Sequence, residues 1–477
     1  MNLKKPRKTK IICTLGPAAS DMDTVRELIL KGMNCARLNF SHGDHAEHLE
    51  RVEMVKTARE DLGKLVALMM DTKGPEIRTK TSPEGKIMLE KGAKFTLYCY
   101  DVEGSATGVS ITYSNLCREI PVGTRVLIDD GLLELLVLEI DGEEIHCVVL
   151  NGGELGNNKS INLPECSINL PSLTERDEAD IAFAAEHDFD FIAASFVRKA
   201  SDIEAIRRVL KRCGGEQIRI IAKIENQEGI NKADEIIEAS DGIMVARGDL
   251  GVEIPAEDVP IIQKSLIAKS VRAGKPVITA TQMLDSMMRN PRPTRAEVND
   301  VANAVFDGTS CVMLSGETAS GKYPLESLAT MVRIVERAEN DRFHAYKPTY
   351  KSAKEGLPTV SDAISHAACT TAEELGAAAI VSVTTSGHTA RMISRFRPEC
   401  PIVAVTPSEK VRRQLAISWG VTPCCAGGIT NTDELFDIGA KVAKTEKLVD
   451  EGDTVVLTAG VPVGVHGTTN LIKVQIV

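Results

Sequence analysis

The sequence predicts an α/β fold: an eight-fold β/α (TIM) barrel, a small all-β barrel inserted in one of its loops, and a separate doubly wound α/β domain at the C-terminal side. Three observations predict it. Short β-rich apolar runs alternate with amphipathic helical stretches, as a parallel sheet with crossover helices requires. The alternation fails once, between about 73 and 170. It resumes at about 171, and a separate run of alternation follows a polar, Pro- and Gly-bearing stretch at 345–358 that reads as a linker.

The barrel strands are expected at 9–16, 35–41, 66–72, 191–196, 219–225, 242–247, 276–281 and 311–317. Helical spacing recurs at 22–31, where Val25, Leu28 and Ile29 share a face, and at 45–62, with Leu49, Val52 and Val55. Further helical segments fall at 201–213, 229–239, 256–273, 294–306 and 324–340. Eight strands interleaved with helices fit a closed barrel better than an open sheet. In the interruption, the runs 94–100, 124–128, 132–140 and 144–150 are punctuated by Gly, Asp and Pro, and no helix is expected. The last part has strands near 379–383, 402–406 and 454–458, with helices near 361–375, 388–396 and 408–418. The expected domains are therefore 1–72 with 171–344, the insertion 73–170, and 345–477.

Bulk properties narrow the function. A chain of 477 residues is too long for a single core, and 43% hydrophobic with 26% charged residues is ordinary globular composition. The formal net charge of -11 argues against a nucleic-acid partner or an anionic membrane surface. Twelve cysteines without a C-x-x-C pair read as reduced thiols of a cytoplasmic protein. The N-terminal apolar run is too short for a signal peptide, and no stretch approaches the length of a membrane span.

Polar residues end nearly every expected barrel strand: Arg37, Asn39 and Ser41; Asp71; Lys223 and Glu225; Asp249; Thr281; Ser315 and Glu317. Carboxyl ends of barrel strands converge on one mouth, and alternate positions on a strand share a face. Glu225 and Asp249 are thus candidate ligands for a hard divalent cation, which takes few carboxylates and leaves positions for water and substrate oxygens. A plain ion pair is the alternative for either acid alone. Lys223 could serve as a Schiff-base amine or as a fixed cation, and the nearby Glu225 favours the cation. The segment Ala246–Gly251, with Gly248 and Gly251 around Asp249, reads as a glycine loop open to an anion. Arg78 suits phosphate oxygens, and His42 is equally read as a site residue or an incidental surface histidine.

Together these segments resemble pyruvate kinase: 35–48 (CARLNFSHGDHAEH), 71–80 (DTKGPEIRTK), 162–177, 222–230 (AKIENQEGI), 239–255, 278–326 and 466–470 (HGTTN), collinear over essentially the whole chain. The resemblance implies phosphoryl transfer from phosphoenolpyruvate to ADP, giving pyruvate and ATP in glycolysis, with Lys223, Arg37, Thr281 and Arg78 catalytic. It implies that Arg37 and Lys223 hold the substrate phosphate and enolate, and that Gly248, Asp249 and Thr281 hold the carboxylate. Glu225 and Asp249 would bind Mg²⁺ (or Mn²⁺), and Asn39, Ser41, Asp71 and the Thr72 carbonyl would bind K⁺. Glu76 stands where K⁺-requiring members carry Glu, and Ser315 and Glu317 would flank the route of enolate protonation behind Thr281. ADP or ATP would meet Asn39, Ser41, His42, Arg78 and Lys159. A loop Thr384, Thr385, Ser386, Gly387, His388, Thr389 would take a sugar-phosphate effector, hydroxyls and N–H groups at a helix start being suited to phosphate. Many members are basic where this chain has His388. A homotetramer is the implied assembly, of the bacterial type without an extra C-terminal domain. The rival readings are a Mg²⁺-dependent lyase acting on oxoacids and a catalytically silent sugar-phosphate sensor.

Overall fold

A computed structural model describes residues 6–83, 85–164, 166, 168–341, 359–427, 432–461 and 469–477. The expected linker 345–358 and positions 466–468 of the HGTTN loop lie outside the described residues. Eight strands, Lys10–Leu15, Cys35–Asn39, Ala67–Asp71, Phe191–Ala194, Arg219–Ile224, Gly242–Ala246, Val277–Ala280 and Cys311–Leu314, close into a parallel barrel, each beside its sequence neighbours.

Strand parity explains the interior. Ile12, Cys35, Ala67, Met69, Phe191, Ala193, Ile221, Met244, Ile278, Ala280, Cys311 and Met313 form one buried cluster inside the ring. The opposite parity, including Ile11, Ala36, Leu68, Ile192, Ile220, Ile243 and Val312, packs outward against the helices. Continued toward the mouth, the inward parity runs from Cys35 to Arg37, from Met69 to Asp71, and from Ile221 to Lys223. The apolar filling thus gives way to charge at one level. The third barrel helix, Glu175–Glu186, is absent from the helical segments expected above. Its polar first turn hid it, and a capping box between Thr174 and Asp177 starts it.

The interruption is a second core. Seven strands order as Ile77–Arg78, Ser160–Asn162, Arg125–Ile128, Leu133–Asp141, Glu144–Asn151, Lys94–Tyr98 and Gly108–Ser110. The two edges meet through the Thr79–Ile111 bridge and the bonds Lys80 N–H to Ser110 O (2.7 Å) and Thr112 N–H to Arg78 O (2.9 Å). Phe95, Leu97, Val126, Leu135 and Val149 fill its centre. One short helix, Leu116–Glu119, corrects the expectation that this segment is helix-free; four residues are too few to show a period.

The C-terminal sheet has five strands, ordered Val421–Cys425, Ile402–Thr406, Ala379–Val383, Thr454–Gly460 and Thr469–Ile476, the last antiparallel. The two edge strands and the helix Thr432–Thr445 are additions to the sequence reading. This sheet's domain docks on the barrel floor. The turn Leu415–Ile417 pushes Ala416 and Ile417 into the interior cluster of the barrel, and Cys311 Sγ donates to Ile417 O at 3.2 Å. Beside it, Arg413 Nε donates to Asp190 Oδ1 (2.8 Å), whose other oxygen accepts Leu68 N–H (2.9 Å).

Lys10, at the floor end of the first strand, donates from Nζ to Val421 O at 2.7 Å. Burial, reinforced by the like charge of Arg7, pulls its pKa from 10.5 down to about 8. Between those values the unfolded chain binds more protons than the folded one, so this group makes stability rise with pH across that window. Lys10→Met removes the group, and urea titrations from pH 8 to 10.5 are expected to show a flatter pH dependence than the parent.

Candidate active site

Four charged side chains meet where the barrel filling ends. Arg37 Nε donates to Asp71 Oδ2 at 2.7 Å, and its Nη1 donates to Thr14 Oγ1 at 2.9 Å. Lys223 Nζ lies 3.1 Å from Asp71 Oδ1 and 2.9 Å from Glu225 Oε1. Ser195 completes the group: its hydroxyl accepts from Lys223 (2.8 Å) and donates to the Thr72 carbonyl (2.6 Å). All of these residues are buried. Ser195 and Thr14 escaped the sequence reading, yet Ser195 follows Phe191 and Ala193 on the inward parity, a signal that could have found it.

Electrostatics fixes what each group can do. Burial opposes the Lys223 ammonium, but Asp71 and then Glu225 outweigh it and hold its pKa above the ordinary value. A nucleophilic amine needs the opposite shift, so this lysine is suited to act as a fixed cation. Asp71 is also pushed up by burial, and the pull of Arg37 and Lys223 wins, keeping it ionised below its ordinary pKa. Glu225 behaves differently: burial, with repulsion from Asp249, raises it to about 7 despite Lys223. Its Oε2 accepts Phe196 N–H at 2.6 Å, while Oε1 has no aligned hydrogen-bond donor although the Lys223 ammonium is close.

That pattern answers whether a divalent cation fits. Glu225 and Asp249 are mutually repelling acids, and Lys223 beside Glu225 does not offset burial and that repulsion, which a metal ion would relieve. Among the described residues no group of three or more His, Cys, Asp or Glu forms a complete cage. A two-carboxylate site that borrows substrate oxygens is therefore the form that fits. The expected K⁺ group is more occupied: Asp71 answers two cations, the Thr72 carbonyl accepts Ser195, and Asn39 Oδ1 accepts Ser41 N–H at 3.2 Å.

The segment expected as a glycine loop is instead the helix Arg247–Glu253, with Gly248 and Asp249 in its first turn. A Cβ at Gly248 would meet only ordinary contacts with Thr281, and neither Gly248 nor Gly251 has positive φ. Glycine here keeps the surface open rather than permitting a special backbone. Gly248 N–H donates to Thr281 Oγ1 at 2.7 Å. Thr281 and Gln282 are left-handed, at φ 65° and 57°, and Arg247 secures this strained turn by donating to the Ala280 (3.2 Å) and Thr281 (2.7 Å) carbonyls. Behind it, both Glu317 oxygens accept backbone N–H groups, from Leu284 (2.9 Å) and Ser315 (2.7 Å). Glu317 thus shapes the turn.

The remaining expected residues stand apart from this cluster. Arg78 and Lys159 are neighbours at the base of the insertion. Arg78 contacts Glu76 (2.7 Å) and Asn158 O (2.8 Å), and Lys159 contacts Asp129 (2.9 Å). His42 is exposed beyond Asn39, its carbonyl accepting from His48. In the C-terminal domain, Gly387 takes φ 77° and its N–H donates to Thr384 Oγ1 (3.0 Å). Thr389 Oγ1 pairs with Thr469 Oγ1 (2.8 Å), and Arg391 donates to Ser386 O (3.3 Å). Burial lowers the His388 pKa, which favours its neutral form.

Gly74 shows how tightly this wall is built. It has φ 72°, its N–H donates to Asp177 Oδ1 (2.9 Å), and an added Cβ would lie 2.9 Å from Ser195 Cβ. Gly74→Ala is expected to cost about 2 kcal/mol in unfolding free energy through backbone strain. Ser195→Ala, which removes only a hydroxyl, is expected to keep the fold and lower steady-state turnover about tenfold. Circular-dichroism melts and initial rates check the pair.

Comparison with known proteins places the chain beside pyruvate kinases. The family model "Pyruvate kinase, barrel domain" matches residues 6–328, and "Pyruvate kinase, alpha/beta domain" matches 362–475. The chain is 52% identical over 472 residues to a pyruvate kinase of Clostridium acetobutylicum, covering 99% of this chain and 100% of that one. It is 52% identical over 473 residues to one from Geobacillus stearothermophilus, covering 99% and 80% respectively. The crystal structure of a pyruvate kinase from Cryptosporidium parvum superposes with a TM-score of 0.90 at 40% identity, over 98% of this chain and 96% of that one.

Proposed function

The chain belongs to the pyruvate kinase family, and from that premise we propose how its own residues move a phosphoryl group from phosphoenolpyruvate to ADP. The observation that carries the reading is the buried Lys223 ammonium, held charged between Asp71, Glu225 and Ser195. Phosphoryl transfer asks a protein chiefly for positioning and neutralisation of charge. The bond from phosphorus to the enol oxygen breaks as one forms to the terminal phosphate oxygen of ADP. Negative charge left on the enol oxygen faces Lys223, which stabilises it without giving up its proton. Arg37, fixed by Asp71 and Thr14, orients the transferring phosphate. The open first turn at Gly248, beside Thr281, receives the carboxylate. The enolate carbon then takes a proton on the side of Thr281, where Ser315 and Glu317 line the wall.

Glu225 and Asp249 would hold Mg²⁺ or Mn²⁺, which when bound supplies Lewis-acid neutralisation of substrate oxygens. Asn39, Ser41, Asp71 and the Thr72 carbonyl would take K⁺. Glu76 supports that dependence by the family pattern. Arg78 and Lys159 would meet ADP together with Asn39, Ser41 and His42, and their place on the insertion lets its approach exclude water. The loop Thr384–Thr389 would bind a sugar phosphate in a homotetramer, with backbone and hydroxyl donors rather than a charged His388. Cytoplasmic residence is supported by twelve free cysteines. Among the described residues no helix is long and apolar enough to cross a membrane.

A coupled pyruvate assay with Mg²⁺, K⁺ and sugar phosphates omitted in turn tests these requirements. Omission of Mg²⁺ or K⁺ is expected to abolish most turnover, and sugar phosphate to lower the KM for phosphoenolpyruvate. Lys223→Met is expected to lose at least about 10³-fold in kcat, as removal of a central oxyanion-stabilising group does. Unchanged turnover in that variant would overturn the role assigned to the lysine.

A further inference from the structure

Glu253 ends the helix whose first turn holds Gly248 and Asp249. Its Oε1 accepts Asn162 Nδ2 at 2.8 Å, and the carboxylate also takes the Leu163 N–H. Among the described residues no lysine or arginine forms an ion pair with this half-buried carboxylate, so the two hydrogen bonds are its polar partners. Asn162 closes the strand Ser160–Asn162, which returns from the insertion paired with Ile77–Arg78, Ser160 standing opposite Arg78. Lys159 immediately precedes that strand. The same helix approaches the insertion again at Val252, 3.7 Å from where a Cβ on Gly131 would stand. Glu253 and Asn162 also line an open cleft of about 270 Å³, together with Glu76, Leu163 and Phe196. The bonds from Asn162 and Leu163 to Glu253 thus tie the returning strand directly to the Asp249 helix.

We infer that Glu253 is a positioning residue that latches the returning strand of the insertion to the Asp249 helix, so that Arg78 and Lys159 meet the nucleotide in register with the substrate held below. The inference rests on the nucleotide assignment proposed above. Misplacement by about 1 Å of groups remote from the reacting atoms is enough to slow a transfer strongly.

The test uses the full chain with Glu253→Ala, Glu253→Gln, Asn162→Ala and the Glu253→Ala/Asn162→Ala double variant. KM is measured separately for ADP and for phosphoenolpyruvate, with thermal melts alongside. Each alanine variant is expected to raise the ADP KM about tenfold and the phosphoenolpyruvate KM about twofold at most. The double variant is expected to be no worse than the single ones, as two ends of one interaction require. Glu253→Gln keeps an acceptor oxygen and is expected to stay near the parent. Effects that multiply in the double variant, or equal rises in both KM values tracking a lower melting temperature, would overturn the latch. Lys159→Ala separates the two claims: an unchanged ADP KM there would overturn the nucleotide assignment, and the latch would then be judged on the Glu253 and Asn162 variants.

Discussion

Two positive and two negative side chains buried together at the end of an apolar barrel are the constraint on which the site depends. Arg37, Asp71, Lys223 and Glu225 come from three strands and span nearly two hundred positions of sequence, and only ring closure brings them together. Buried charges of this kind are tolerable when each is paired and hydrogen-bonded. Asp71 satisfies two cations at once, so its loss would leave Arg37 without its acid and Lys223 with Glu225 alone. Glu225 is the less settled partner, pushed toward neutrality by burial and by Asp249. The cluster is therefore fully paired on the Arg37 side, while on the Glu225 side burial and Asp249 outweigh Lys223, where the proposed divalent cation would fit.

Strain surrounds the same point. Phe196, at φ 54°, turns its N–H onto Glu225, and Thr281, at φ 65°, turns its hydroxyl toward Gly248. An aromatic and a β-branched residue both disfavour this region of backbone space. Each is held by neighbours that spend their own hydrogen bonds on it, Arg247 and Glu317 around the second turn above all. The Glu225 carboxylate and the turn after Ala280 are thus held in place by hydrogen bonds within the protein itself.

Much of this was legible in the chain because barrel strands obey a two-residue period. Arg37, Asp71 and Lys223 fall on the inward parity directly from their apolar neighbours. Ser195 obeys the same rule and was missed only because a serine lacks the chemical conspicuousness of a charge. The Ala246–Gly251 segment misled because glycines signal a turn, whereas here they keep one face of a helix bare. In the C-terminal sheet, Val421–Cys425 contains Pro423, which an edge position tolerates because no neighbouring strand needs its missing N–H on that side. Thr469–Ile476, on the other edge, is half exposed and lacks the continuous apolar character of the buried strands. Edges are where pattern is weakest, since only one neighbour constrains them. Glu253 had no signal at all, its meaning being a partner 91 positions away.

The turn Leu415–Ile417 stoppers the barrel from below, lending Ala416 and Ile417 to a cluster whose other buried members come from the barrel strands. The catalytic half is consequently not a self-sufficient module. A barrel joined to a foreign C-terminal domain would lose Ala416 and Ile417 from its interior, so substitutions on either face of that plug act on one shared core.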